Sequence, residues 1–360
     1  MTAPATTAPH ARLAWLDYAK AIGIVLVVFG HASRSIGRTN GLVWSDTLQS
    51  LDSVIYAFHM PLFFLVAGYV AGLQKAQASA SFAQSLWWGV AVPYLVWSAI
   101  WISIKVMLPD AANVPLDISA LGKILWQPVE HFWFLYHLFF IRVGWYIANR
   151  LKGAGDALPL GLVLAAAAAS AILMTRAPEL DWVAGFLANF AIYGIGLVWL
   201  PMLLKVWGET PSVRLAMLGG ALCLWGYALG GAAGNIWPAI GGAFIVVGLA
   251  KALPQPSTTG WRMFAYLGEA SLAIYVMHLL VGAAMRVALA KMGLLSVGTL
   301  LVTATVTGLA LPAVTYWCVL SAAKWAGHPL TRWLGLGPAM RSDYIPLWGA
   351  AQSHQPQPST

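Results

Sequence analysis

The sequence predicts an all-α, polytopic integral membrane protein with about ten transmembrane helices. Three observations predict it. Of 360 residues, 60% are hydrophobic and only 9% are charged, where a soluble domain carries roughly a quarter; mean hydropathy is +0.73. Apolar runs long enough to cross a hydrocarbon core recur along the whole chain. Nineteen tryptophans accompany them, as indole rings gather at bilayer interfaces.

Taken in order, residues 1–12 are short, small and polar, without the apolar core or cleavage site of a leader, so no removable signal peptide is expected. Spans follow at 13–36, 48–74, 82–107, 131–151, 157–175, 181–203, 212–231, 233–253, 263–289 and 295–323. Between the seventh and eighth, GGAAGN (230–235) is the only break. Reading 212–253 as one span makes nine and moves the C-terminus across the membrane. One transmembrane domain is expected over 13–340, followed by a polar, Pro-containing tail at 341–360 that is expected to be disordered. The longest loop, 108–130, is rich in Pro and acidic residues and is placed to cap a cavity.

Net charge is +8, but the basic residues are scattered singly between spans and form no stripe. Membrane lipid is therefore the expected partner and nucleic acid is not. Their distribution also orients the chain. With the N-terminus inside, Arg12, Lys75, Arg150, Lys152, Lys205, Arg214, Lys251, Arg262, Lys324, Arg332 and Arg341 are cytoplasmic. Only Arg38, Lys123, Arg176 and Lys291 lie outside. That asymmetry predicts both termini inside.

Five basic residues fall within spans. Lys105 and Arg286 are near span ends and are expected to snorkel to the interface. Lys20 and Arg142 lie in settings that suggest more, and Arg34, near the outer end of its span, fits either snorkelling or a site. Lys20 and His31 are eleven residues apart in LDYAKAIGIVLVVFGHASRSI, which on a helix puts both on one face about 16 Å apart. Ionisable groups at membrane depth are costly and tend to face a protein interior or a wet cavity. Asp17 is one turn from Lys20, a spacing that allows an ion pair; it also fits an interface marker. Arg34 is one turn beyond His31.

Three further segments place polar groups among apolar ones. In FHMPLFFLVAGY, His59 precedes Pro61, whose missing amide kinks helices. In EHFWFLYHLFFIR, Trp133 and Tyr136 fit interface aromatics, and Trp133 is also a candidate substrate contact. His131 is expected at the water boundary, His137 and Arg142 deeper, and the arginine suits an anionic group. In LGEASLAIYVMHLLV, Ser271, Tyr275 and His278 fall at i, i+4 and i+7 and form one polar stripe. The stripe either lines a substrate site or joins two helices.

The sequence contains no P-loop, dinucleotide fingerprint, nucleophile elbow or HExxH. Its eight histidines lack metal-ligand spacing, so no metal is expected. Cys223 and Cys318 sit in apolar segments and give no disulfide framework.

Taken together these segments resemble the membrane-bound acyltransferases of acyltransferase family 3, in its sugar O-acetyltransferase branch. The resemblance rests on a basic residue followed by ten residues and a histidine in the first span (Lys20 to His31), on FFLVAG in the second (Phe63 to Gly68), and on FHMPLFF, HFWFLYHL and SLAIYVMH. Two positions depart from the family pattern: Lys20 stands where Arg is commoner, and Ala67 where Ser is usual. The resemblance extends from about residue 12 to 335. It implies transfer of an acyl group, most often acetyl, from cytoplasmic acyl-CoA to a hydroxyl of a glycan or lipid-linked sugar. It also implies residence in a bacterial cytoplasmic (inner) membrane.

On that reading His31 is the general base or a covalent acyl relay, and Lys20 binds a phosphate of the donor. Asp17, Arg34, His59, Trp133, His137, Arg142, Ser271, Tyr275 and His278 are candidates for substrate binding. A proton-coupled secondary transporter, using the same buried ionisable groups as a relay, is the alternative. A scaffolding subunit of an export machine would leave those groups unexplained.

Overall fold

Inside hydrocarbon a backbone must satisfy its own N–H and C=O groups, and a helix does so within one segment. The computed structural model describes residues 13–37, 39, 42–73, 79–108, 116–151, 157–207, 211–230 and 236–337. They form helices α1 (Ala14–Gly37), α2 (Asp46–Leu73), α3 (Ser79–Met107), α4 (Trp133–Leu151), α5 (Ala157–Arg176), α6 (Pro178–Val206), α7 (Pro211–Leu229), α8 (Ile236–Ala252), α9 (Thr259–Glu269), α10 (Ser271–Lys291) and α11 (Val297–Ala326). No strand occurs among the described residues. The polar N-terminal segment 1–12 and the tail 341–360 lie outside them.

Eight of the ten predicted segments are long and apolar enough to span a bilayer. The other two are helical but fall short of that standard. The first, α4, carries His137, Arg142 and Arg150, and α8 has only 17 residues. The doubtful region 212–253 is two helices packed side by side, not one span: a Cβ at Gly219 would meet the backbone of Gly241, and one at Gly248 the backbone of Ser212. The ninth predicted span is also two helices, broken at Ala270. There α9 turns aside to pack on α1, with Gly268 against the Asp17 carbonyl and Tyr18 against Trp261 and Phe264.

Prolines shape two other helices. Each π-helical turn, Trp87–Ala91 and Ile195–Trp199, ends two residues before a proline (Pro93, Pro201). Proline supplies no amide donor and its ring crowds the carbonyl four residues back, so the preceding turn widens. By contrast α2 continues as helix through Pro61.

The first helix packs against α2, α8, α9, α10 and α11, so its polar side chains face protein rather than lipid. Tyr18, Ile24, Val27 and Val28 are buried in the main apolar cluster. Outer helices show the reverse: Leu164, Leu224, Val302 and Leu311 are exposed large apolar residues. Where α2 crosses α6, Gly68 abuts the Tyr193 backbone and Gly196 the Leu65 backbone, the close approach that small residues permit between membrane helices. Gly68→Ala or Gly196→Ala must therefore push the two backbones apart. Each is expected to lower stability by about 1–3 kcal/mol, the usual cost of overpacking, read as a lower unfolding temperature in detergent.

Candidate active site

A cavity of about 1320 Å³ lies at the end of the bundle where α1 finishes and α2 begins, bordered by exposed Leu108 and Lys291. Its wall draws on α1, α2, α3, α10, α11 and the turn that leads into α4. Four histidines from four segments meet there: His31, His59, His131 and His278. The His31 ring centroid is 5.1 Å from His278, 6.5 Å from His131 and 6.3 Å from Tyr56.

Backbone carbonyls fix the tautomers of two of these rings. Carbonyls only accept, so a ring nitrogen facing one must carry the proton. His278 Nδ1 donates to the Tyr275 carbonyl at 2.8 Å and the Ile274 carbonyl at 3.1 Å. Its Nε2 is thus left as a lone-pair acceptor, buried and without a protein partner. His59 Nδ1 donates likewise to the Ile55 carbonyl at 2.8 Å. A basic nitrogen held unpaired beside another imidazole suits proton transfer more than packing.

Charge pairs surround the rings. Arg34 Nε donates to both Asp52 oxygens, at 3.1 and 2.9 Å, and its guanidinium lies 3.1 Å from the Tyr56 ring centroid. Lys105 pairs with Glu130 and stands 5.5 Å from the Trp101 ring. Glu130 has φ +42°, a left-handed backbone that L-residues seldom adopt. The Tyr275 hydroxyl donates to the His131 carbonyl, tying α10 to the turn Glu130–Phe132. Tyr275→Phe leaves that buried carbonyl unpaired and is expected to cost about 1–3 kcal/mol of stability. Detergent melting of the two proteins measures it.

The structure thus brings together His31, Arg34, His59, Trp133, Tyr275 and His278 of the predicted set. It does not bring the others to this cavity. Ser271, first residue of α10, is outside the wall while its stripe partners Tyr275 and His278 are in it. His137 is buried between Trp133, Trp182 and Phe186. Arg142 donates to Ser85 Oγ at 3.1 Å and lies over the Phe82 ring. Lys20 pairs with the buried Asp17 carboxylate at 2.7 Å. Both are on the same unbroken helix as His31, and the eleven-residue separation still puts Lys20 about 16 Å away.

One expectation of snorkelling is corrected: Lys105 is buried and paired with Glu130. Arg286 borders the cavity. His131, expected at the water boundary, is buried with neither ring nitrogen paired to protein. Asp52 and Tyr56 were not singled out from the sequence, although a signal exists. Asp52, Tyr56 and His59 repeat the i, i+4, i+7 stripe of Ser271, Tyr275 and His278.

A family model described as an acyltransferase domain matches residues 13–322. No curated protein and no solved structure matches the chain.

Proposed function

The chain belongs to this acyltransferase family, and from that premise we propose that it moves an acetyl group from cytoplasmic acetyl-CoA to a hydroxyl of a glycan or lipid-linked sugar. The observation that supports this reading best is His31 beside the unpaired Nε2 of His278 in one large cavity. His31 takes the acceptor hydroxyl's proton as its oxygen attacks the thioester carbonyl. The new C–O bond forms as the C–S bond breaks, and the proton returns to the leaving thiolate. His278, with its Nδ1 proton held by two carbonyls, offers Nε2 to the N–H of His31. The resting protein leaves that nitrogen unpaired; a hydrogen bond to it formed as the acceptor binds holds His31 in the tautomer whose other nitrogen is basic.

Lys20 serves the donor. Asp17 fixes its ammonium at the other end of α1, where the positive-inside count places cytoplasm, and the pantetheine arm covers the distance to His31. The Trp133 ring offers an apolar face to a sugar, and Arg34, stacked on Tyr56 and locked by Asp52, offers donors near its hydroxyls. The membrane is the bacterial cytoplasmic one.

Purified full-length protein should be stabilised by acetyl-CoA. A ligand bound only by the folded state at 100 times its Kd adds about 2.7 kcal/mol, a clear rise in melting temperature. Radiolabel from [acetyl-14C]acetyl-CoA should also pass to membrane glycan. Absence of both effects would overturn the proposal and favour a transporter.

A further inference from the structure

The cavity wall holds four cations and, among its residues, one carboxylate. Arg34 is answered by Asp52 from outside the wall, and Lys105 by that one carboxylate, Glu130. Arg286 and Lys291, both on α10, make no ion pair among the described residues. Among the described residues, the wall therefore carries two positive charges that no carboxylate neutralises.

Their placement separates them from the reacting groups. Arg286 is eight residues beyond His278 on one helix, about 12 Å along its axis, and Lys291 is about 20 Å. Lys291 is in the last turn, where a cation also complements the helix dipole; Arg286 is not. A walled pocket of one sign concentrates counter-ions. A neutral glycan filling this space would replace the water on Arg286 with hydroxyl acceptors but leave its charge unanswered, whereas an oxyanion supplies both the acceptors and the opposite charge.

We propose that Arg286, assisted by Lys291, binds an oxyanion carried by the acceptor, a phosphate or a carboxylate, so that the acceptor is an acidic glycan or glycolipid. The guanidinium's fork matches both groups in bidentate geometry. The anion sits toward the mouth while the reacting hydroxyl reaches His31. The donor's phosphates lie at the Lys20 end, on the far side of His31. This inference rests on the acyltransferase reading.

The test uses purified full-length protein, [acetyl-14C]acetyl-CoA and detergent extract of membranes from a strain lacking the gene, titrated as the acceptor. Labelled product should be retained on an anion exchanger at neutral pH. Mild acid, which cleaves sugar–phosphate linkages, should release neutral label if the anion is a phosphate and leave it retained if it is a carboxylate. In the Arg286→Gln, Lys291→Gln double variant, the extract needed for half-maximal transfer should rise at least tenfold. Half-saturation by acetyl-CoA should be unchanged, and Arg286→Lys should recover part of the loss.

A neutral product from the native protein overturns the inference even if the double variant fails to fold, and leaves acyl transfer standing. So does a double variant in which the acetyl-CoA requirement rises instead of the extract requirement. No labelled product from the native protein overturns the acyltransferase reading and this inference with it.

Discussion

His31→Ala is expected to lower acyl transfer by about 10²–10⁴-fold, the range that one positioned general base contributes, with acetyl-CoA stabilisation retained. The side chain lies on the helix that packs against five others, yet it borders the cavity rather than the apolar cluster. Truncation therefore removes chemistry while leaving helix packing in place. A structural role predicts the opposite pattern, a lower melting temperature with residual activity in proportion to folded protein. Transfer assays normalised to the amount of variant in the membrane separate the two. Full activity in His31→Ala would remove the residue from the mechanism. His278→Gln should have a smaller effect, because it removes the group that orients the base and leaves the base itself.

The helices were legible because hydropathy over some twenty residues is a property of the segment alone. What escaped depends on partners distant in sequence. The break at Ala270 carries no proline or glycine pair; it follows from α9 packing on α1 through Gly268 and Tyr18, which no local pattern displays. Lys105 and a snorkelling lysine look alike in sequence, and the difference lies in Glu130, 25 residues later across the loop. Spacing succeeded where one helix face decides the outcome. Tyr275 and His278 share a wall, although Ser271, the first residue of their stripe, stays outside it. It failed in α4, where adjacent positions meet different neighbours. Trp133 reaches the cavity, while His137 meets α6 rings and Arg142 meets Ser85 of α3.

Lys20→Ala is expected to raise the acetyl-CoA concentration for half-maximal transfer by about 10–100-fold, since a hydrogen bond to a charged group contributes roughly 1.5–3 kcal/mol. The acceptor requirement should not move. The variant has a complication that sharpens the test. Asp17 is buried and its carboxylate loses the Lys20 ammonium, so Lys20→Ala also destabilises the fold around α9. The double variant Asp17→Asn, Lys20→Ala also removes the carboxylate's charge and should recover melting temperature without recovering donor affinity. A residue that merely neutralises Asp17 predicts recovery of both. If acceptor affinity falls instead while acetyl-CoA binding persists, Lys20 does not hold the donor. The eleven-residue spacing to His31 would then mark a link within the helix packing rather than a division between donor and acceptor ends of one site.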